Sequence, residues 1–537
     1  MTQFRLACCA IVLWGSGLVR GEESAKPIVF RDVTAEAGLL EPLAGMLGHG
    51  AAWGDYDGDG RIDLYVGNFS DRPDAEYSPA EGPVKNQLFR NRGNGRFEPA
   101  GQVAVELYGR TSGAIFADLD NSGTLELYVA NNAKRATREV DEPQRSAAMQ
   151  KSQLFANQDG KLVDISAASG ASPAELYTAR NIGVFDYDAD GRLDLLVIED
   201  RFTRNPRSVL LRNEGKLKFR DVTRTAGLPD DLFGLGLAVA DLNGDHRPDF
   251  FVGHSNRMFL SRGDGTYHEP ASLRELFAWK PLHDEDWPCG AAFGDLNRDG
   301  QLDLVLSIHG IPARNRVYLN TGLKDGVPTF RDITAQAGLG QQLPVRAPHV
   351  EIQDFDNDGW PDLYFSAAWL EADGSVTPLV YRHSGLRDGI PTFTPPRPID
   401  EQMVYYPTGP SGDYDNDGRL DLFLVNWFAG NHSRLLQNTS PARNWLQVRP
   451  RGREVNRMGL GVQVRVYRAG AIDDAKSLLG FQELNIGYGY GAGQPAVCHF
   501  GLGDETKVDL VVTFPNGKRV TRTGVATNQP LTIEEPR

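Results

Sequence analysis

"DYDNDGRLDL", residues 413–422, places acids at Asp413, Asp415, Asp417 and Asp421, a glycine at Gly418, and then an apolar run. Two unit charges 4 Å apart repel by about 4 kcal/mol at an effective dielectric of 20, so uncompensated carboxylates this close oppose a compact loop. A divalent cation reverses the sign of that interaction. A single copy reads most simply as a solvated turn, since Asp, Asn and Gly populate turns.

The stretch is not single. It returns as "DYDGDGRIDL" from Asp55, "DLDNSGTLEL" from Asp118, "DYDADGRLDL" from Asp186, "DLNGDHRPDF" from Asp241, "DLNRDGQLDL" from Asp295 and "DFDNDGWPDL" from Asp354, with successive starts 54 to 68 residues apart. Small and apolar residues precede each copy, as in "GHGAAWGD" and "TSGAIFAD", and a strand-like run such as "DLYVGN" or "DLLVIE" follows. Next come pairs of short strands around a Gly-containing turn, as in "NQLFRNRGNGRFE" and "SQLFANQDGKLVD".

Four antiparallel strands per unit, repeated radially, predict an all-β chain whose main body is a seven-bladed β-propeller. The last unit supplies "RLLQNTS" but no fourth strand, whereas "IVFRDVT", residues 28–34, stands unpaired at the other end of the chain. Phe30 to Thr34 is therefore expected to complete the seventh blade and close the ring.

Seven registered copies favour metal loops over plain turns. An EF-hand also starts its ligands at positions 1, 3 and 5, but it ends on a bidentate Glu at position 12 and is flanked by helices. Here position 12 is apolar, as at Val66 and Phe365, the flanks are strands, and the fourth acid falls at position 9. Oxygen donors without His or Cys suit a hard cation, and a flexible carboxylate-rich set suits Ca²⁺ better than Mg²⁺, which retains its waters.

Four copies carry acids at positions 1, 3, 5 and 9 with Gly at 6: Asp55, Asp57, Asp59 and Asp63; Asp186, Asp188, Asp190 and Asp194; Asp354, Asp356, Asp358 and Asp362; and Asp413, Asp415, Asp417 and Asp421. A fifth has Asp295, Asn297, Asp299 and Asp303. The two weakest are Asp241, Asn243, Asp245 and Asp249, with His246 in place of the turn glycine, and Asp118, Asp120, Ser122 and Glu126. About five to seven Ca²⁺ ions are expected.

Bulk properties agree. The 537-residue chain has 40% hydrophobic residues, Gly 59 and Pro 32, which suits a turn-rich β protein with a substantial core. A formal charge of -15 and a pI near 5.2 exclude a nucleic-acid surface, which needs a basic stripe. Residues 1–21 read as a signal peptide, with Arg5, an apolar stretch from Leu6 to Leu13, and small residues before a cut after Gly21. The protein is expected to be secreted, periplasmic or on the cell surface, and no stretch of about 20 apolar residues marks a membrane span. Beyond the signal only Cys289 and Cys498 remain, so no disulfide framework is expected.

Residues 27–440 are assigned to the propeller and 442–537 to a small β-sandwich-like domain, in which "QVRVY", "AVCHF" and "VDLVVTF" are strand-like and "PNGK" is a hairpin turn. The Gly/Tyr loop from Gly487 to Gly493 reads as a turn or a binding surface.

The loops resemble the FG-GAP/VCBS repeat, which builds the seven-bladed head of integrin α chains with the calcium loop D-x-D-x-D-G-x-x-D-L. That resemblance implies side-chain ligands at positions 1, 3, 5 and 9 and a carbonyl ligand at position 7, here Arg61, Arg192, Gln301, Trp360 and Arg419. "NWLQVRPRGREVNRMGLGVQVRVYRAG" and "LNIGYGYGAGQPAVCHFGLGDETKVDLVVTFPNGKRV" resemble the ASPIC/UnbV domain of the cartilage acidic protein family. No cysteine-rich EGF-like module follows in this sequence, which implies a bacterial-type member.

Because strands alternate in direction, the acid loops and the tight turn between the third and fourth strands share one face. The long connections, Phe69–Lys85, Ala133–Lys151, Tyr267–Pro288 and Trp369–Pro378, belong to the other, where an unknown protein or glycan ligand is expected. Trp279, His283 and Trp287 either stack on such a ligand or pack their own loop. The primary functional reading is an exported calcium-binding scaffold for adhesion or recognition. Its alternative is an extracellular polysaccharide lyase or hydrolase using that same face, although no nucleophile elbow, HExxH motif or His cluster is visible.

Overall fold

The computed structural model describes residues 27–70, 85–132, 151–201, 206–428 and 430–537. The expected signal peptide, and most of the connections from Phe69 to Lys85 and from Ala133 to Lys151, lie outside the described residues.

Each repeat forms a four-stranded antiparallel unit. In blade 3 the order is Ala179–Phe185, Asp194–Glu199, Val209–Asn213 and Phe219–Asp221, each strand paired with the next. Blades 1 and 2 run from Gly48–Gly54 to Arg96–Pro99 and from Gly109–Ala117 to Lys161–Asp164, and are joined into one sheet where Phe69 pairs with Arg110. Blades 4, 5 and 6 begin at Gly234–Ala240, Pro288–Gly294 and Val350–Gln353.

The innermost strands are rich in Gly and Ala because they crowd the axis. A Cβ on Gly236 would stand 2.3 Å from the carbonyl oxygens of Cys289 and Gly489. Apolar side chains of the middle strands meet between sheets, and each pair of neighbouring blades encloses its own buried cluster.

The seventh blade is completed from the other end of the chain, as the unpaired "IVFRDVT" requires. Ser411–Gly412, Asp421–Leu424 and Arg434–Asn438 are joined by Phe30–Asp32, with Phe30 opposite Asn438 and Asp32 opposite Leu436. Val33 then buries its side chain against the blade 1 and blade 7 cluster, and its N–H donates to Leu435 O at 2.9 Å.

Residues beyond the propeller form two packed sheets. One holds Asn444–Arg451 between Cys498–Gly503 and Gln529–Glu534, and the other orders Leu478–Glu483, Gln463–Arg468, Lys507–Thr513 and Arg519–Ala526. Leu446, Val464, Leu510 and Phe514 fill the space between them, in a cluster continuous with Ile115 and Ile182 of blades 2 and 3.

This second unit lies on the acid-loop face, and it sends the Gly/Tyr segment into the propeller's axis. Ala492 and Gly493 pair in parallel with Ala51 and Ala52 of blade 1. The Gly489 N–H donates to Leu237 O and Ala291 O of blades 4 and 5, at 3.1 and 2.9 Å. Asn181 Nδ2 of blade 3 donates to Gly487 O at 3.2 Å, and the Tyr490 N–H to His349 Nδ1 of blade 6 at 3.0 Å. The segment is thus a plug for the central channel rather than a surface loop. Its glycines are required there: Gly489 has φ 79° and its absent Cβ would lie 2.3 Å from His349 Nδ1.

One expectation about the opposite face changes, and one choice left open there is decided. Trp369 to Pro378 is not an open connection, because the strands Asp362–Leu370 and Val376–Arg387 continue through it as a hairpin with Leu370 opposite Val376. Trp287 does not face solvent. It stacks parallel to His254 and His309, with ring centroids 5.0 and 5.4 Å away, and Trp279 lies under the guanidinium of Arg314 while donating to Asp286 O. Trp279 thus packs against its own loop and Arg314, and Trp287 against strand ends of blades 4 and 5.

Candidate metal centres

Each acid loop is held by its own carboxylates. In blade 3, Asp186 at position 1 accepts from the N–H groups of Asp190 and Gly191 at 3.0 and 2.8 Å, and Asp190 accepts from Arg192 N at 3.0 Å. The same bonds recur at Asp55, Asp241, Asp295, Asp354 and Asp413. In blade 2 only Gly123 N donates to Asp118, at 2.9 Å, while the Ser122 hydroxyl serves the turn to Thr124.

Position 9 has a second task that spacing alone does not reveal. Asp194 accepts from Tyr187 N of its own loop at 3.0 Å and from Asn213 N of the third strand at 2.7 Å. Asp63, Glu126, Asp249, Asp303, Asp362 and Asp421 make the corresponding pair of bonds. All seven are fully buried. This carboxylate is therefore a clamp between loop and sheet as well as a candidate ligand.

Carboxylate oxygens at positions 1, 3 and 9 converge within 4.8 Å of one another in five copies: Asp55, Asp57 and Asp63; Asp118, Asp120 and Glu126; Asp186, Asp188 and Asp194; Asp354, Asp356 and Asp362; and Asp413, Asp415 and Asp421. The copies with Asn243 and Asn297 at position 3 lack a third acid at that point. Asp245 and Asp299 there hold the turn through Arg247 N and Gln301 N, both at 2.9 Å.

Position 5 turns toward arginine. Asp59, Asp190 and Asp417 pair with the guanidinium groups of Arg61, Arg192 and Arg419, and Asp358 pairs with Arg382. In the same blade Asp358 also accepts from Trp360 N at 2.9 Å. Third-strand arginines reach position 3, with Arg90 Nε at 2.5 Å from Asp57 and Arg212 Nε at 2.6 Å from Asp188.

Burial without a full set of counter-charges raises the remaining carboxyls. Asp63 and Glu126 are pushed up to about 8, Asp186, Asp295 and Asp413 to about 7, and Asp118 to about 6, in each case first by desolvation. Asp194, Asp303 and Asp421 are likewise raised well above the usual carboxylate range, first by desolvation. Asp188 Oδ1 and Asp118 Oδ1 are buried with no hydrogen-bond partner among the described residues. An all-oxygen set that is raised, converging and incompletely satisfied is the donor chemistry of a hard divalent cation.

The second unit closes over several loops. Gln447 Nε2 donates to Asp413 Oδ2 at 2.7 Å, Gln463 Nε2 to Asp241 Oδ2 at 3.1 Å, and Arg443 Nη1 stands 2.9 Å from Asp356. In blade 2 Arg457 approaches Asp118 Oδ2 at 3.9 Å and donates its backbone N–H to Asn121.

Sequence reasoning overlooked the asparagine of the third strand. Asn91, Asn157, Asn213 and Asn438 each donate from Nδ2 to a carbonyl in the acid loop of the preceding blade, namely Tyr414, Tyr56, Leu119 and Phe355, at 2.7 to 2.8 Å. These side chains staple neighbouring loops together around the ring, including across the junction of the chain ends. The signal was present as the recurring Asn of "FRN", "FAN", "LRN" and "LQN".

Among the described residues no helix is long and apolar enough to cross a membrane. Residues 55–129, 186–252 and 295–365 match the family described as FG-GAP-like repeat, and residues 452–537 match that described as ASPIC and UnbV. The chain is 26% identical over 538 aligned residues to cartilage acidic protein 1 of Homo sapiens, covering 95% of this chain and 76% of the human protein. It is 26% identical over 536 to the Mus musculus protein, covering 95% and 77%. A solved structure, rhamnogalacturonan lyase PL11 of Bacillus licheniformis, superposes with a TM-score of 0.38 at 13% identity, covering 86% of this chain and 78% of that one. The chain is a protein of FG-GAP-like repeats with an ASPIC and UnbV domain, homologous to cartilage acidic protein 1 over most of its length.

Proposed function

We propose that this protein is an exported, calcium-stabilised scaffold whose recognition surface lies on the propeller face opposite the acid loops. The observation that carries the reading is the convergence of three carboxylates in five of the repeated loops. Calcium in those positions would neutralise buried charge that the chain itself leaves only partly compensated, and would tie each hairpin to the sheet behind it. Residues at positions 1, 3 and 9 would be the ligands, with position 5 sharing its charge between the ion and the adjacent arginine. The face that carries the loops is occupied by the ASPIC and UnbV unit, and the channel is filled by its plug, so a partner has access to the other side.

The clamp and the ligand separate at positions 9 and 3. Asp194→Ala strands two buried N–H groups and is expected to cost about 2–4 kcal/mol with or without calcium. Asp188→Ala leaves both N–H groups served, so its expected loss is one bound calcium per chain and a lower melting temperature in calcium alone. Calcium content and thermal melting of the two variants, with and without chelator, make the comparison. Equal calcium content in Asp188→Ala and the parent would remove position 3 from the ligand set.

A further inference from the structure

The opposite mouth of the channel gathers three histidines that the acid loops do not use. His49 is the second residue of the inner strand of blade 1, His254 ends the second strand of blade 4, and His309 follows the second strand of blade 5. Tyr490, at the tip of the plug, joins them. Its hydroxyl lies 2.9 Å from His49 Nδ1, and its ring packs with Leu235, Cys289 and Trp287, the last stacked on both His254 and His309.

Four ring nitrogens in this layer are buried and without a hydrogen-bond partner among the described residues: His49 Nε2, His254 Nδ1 and Nε2, and His309 Nδ1. An unpaired buried polar group is destabilising, so four of them at one channel end ask for an occupant. His49 and His309 are partly exposed as residues, which places the layer at the end of the channel rather than deep within it.

The occupant's chemistry follows from the lining. Desolvation holds all three imidazoles well below their ordinary range, His254 at about 3 and His309 at about 4, so each is neutral; His254, with both ring nitrogens open, offers one donor and one acceptor, and His49 and His309 offer one nitrogen each. Hydroxyl groups have the same dual character. An anion is not favoured, because the nearby guanidiniums are already engaged: Arg180 Nε sits 2.6 Å from Asp200, Arg346 pairs with Glu285, Arg201 lies over the Trp287 ring and donates to Asp284 O, and Arg110 lies over the Phe69 ring. An ion is not favoured either. Among the described residues every cluster converging within 4.8 Å is made of carboxylates, and these three rings do not converge that closely. Aromatic and apolar surface frames the mouth: Trp427 meets His49 edge to face at 4.2 Å, and Phe428, Leu282 and Ile311 are 42%, 62% and 48% exposed. Hydroxyls beside flat aromatic faces describe a sugar ring.

We propose that the channel mouth formed by His49, His254, His309 and Trp427 binds a neutral, hydroxyl-rich saccharide end. This rests on the recognition reading above and gives it a place and a ligand class. The test uses the calcium-loaded full chain on an immobilised array of neutral and carboxylated oligosaccharides, with free zinc and inorganic phosphate as competitors.

Binding to neutral termini is expected, falling at least tenfold in His309→Gln and in His254→Gln while melting temperature and calcium content stay at the parent's values. Because a substitution can disturb packing, a second readout uses the unaltered protein labelled with ¹⁵N-histidine, in which the bound sugar is expected to shift imidazole ¹⁵N resonances. Three outcomes overturn the proposal: binding unaffected by either substitution with imidazole resonances unmoved, which leaves recognition by another surface; binding of zinc or phosphate in place of sugar at these histidines; and no saccharide bound at all. The calcium scaffold is tested separately, by ion content, and survives each of them.

Discussion

Stripping calcium with a chelator at pH 8 is expected to lower the melting temperature by ten degrees or more. At 100 times its Kd a ligand stabilises by about 2.7 kcal/mol per independent site, and five converging loops together exceed 10 kcal/mol, a shift of that order for a chain this size. The same measurement has a defined pH dependence. In the ion-free protein Asp63 and Glu126 are raised to about 8, and Asp186 and Asp413 to about 7. A carboxyl whose folded value is raised binds more protons folded than unfolded, so the ion-free protein loses stability as pH rises from about 4 toward 8. Calcium must displace those protons at low pH. Its stabilising effect is therefore expected to be small near pH 5 and large at pH 8, and a calcium effect equal at the two values would separate the ions from these carboxyls.

Deleting residues 27–34 is the second large effect. Removal of the strand takes Val33 from a buried cluster and breaks its N–H bond to Leu435 O, along with Thr439 N to Val29 O at 2.7 Å and Leu435 N to Thr34 Oγ1 at 2.9 Å. It also leaves Arg434, whose side chain is 6% exposed, without Asp32. A buried charge deprived of its partner costs about 3–5 kcal/mol, the apolar side chain about 1.5–3, and each lost hydrogen bond about 1, for a total on the order of 8–12 kcal/mol. That is comparable with the whole stability of a typical domain. The deletion is expected to abolish cooperative unfolding at 25 °C, and a peptide of residues 27–40 added in trans is expected to restore part of it. A deletion variant melting within a few degrees of the parent would mean that the ring does not depend on this closure.

Much of this architecture is legible in the letters because it is written seven times. The acid-and-glycine loop, the small-residue inner strand and the orphan "FRDVT" each recur or are conspicuously unpaired, and they point to the blades and to closure of the seventh by Phe30 to Thr34, whose register with Asn438 the structure supplies. What could not be read is what depends on contacts between distant segments. "GYGYGAG" looks like a turn locally, yet its glycines answer to carbonyls and an imidazole of several blades, and no local pattern encodes that it fills the axis. Trp287, for which the sequence allowed either ligand stacking or packing within its loop, is enclosed by His254 and His309, partners from elsewhere in the chain.

Within the loops the division of labour was equally hidden. Spacing treats the four acids alike, whereas position 9 clamps two backbone N–H groups and position 5 faces an arginine two residues on. Those differences arise from burial depth and from the third strand, which spacing within ten residues does not contain. The stapling asparagines were visible as a repeated letter, but their carbonyl partners belong to the neighbouring blade.

The most direct test of the central claim is the calcium content of the purified protein after dialysis against calcium and then against metal-free buffer, measured by elemental analysis per chain. About five tightly held ions, falling by one in Asp188→Ala and displaced by chelator with loss of thermal stability, is the predicted result. Less than one ion per chain, with a folded ring that melts identically before and after calcium is added, would contradict it.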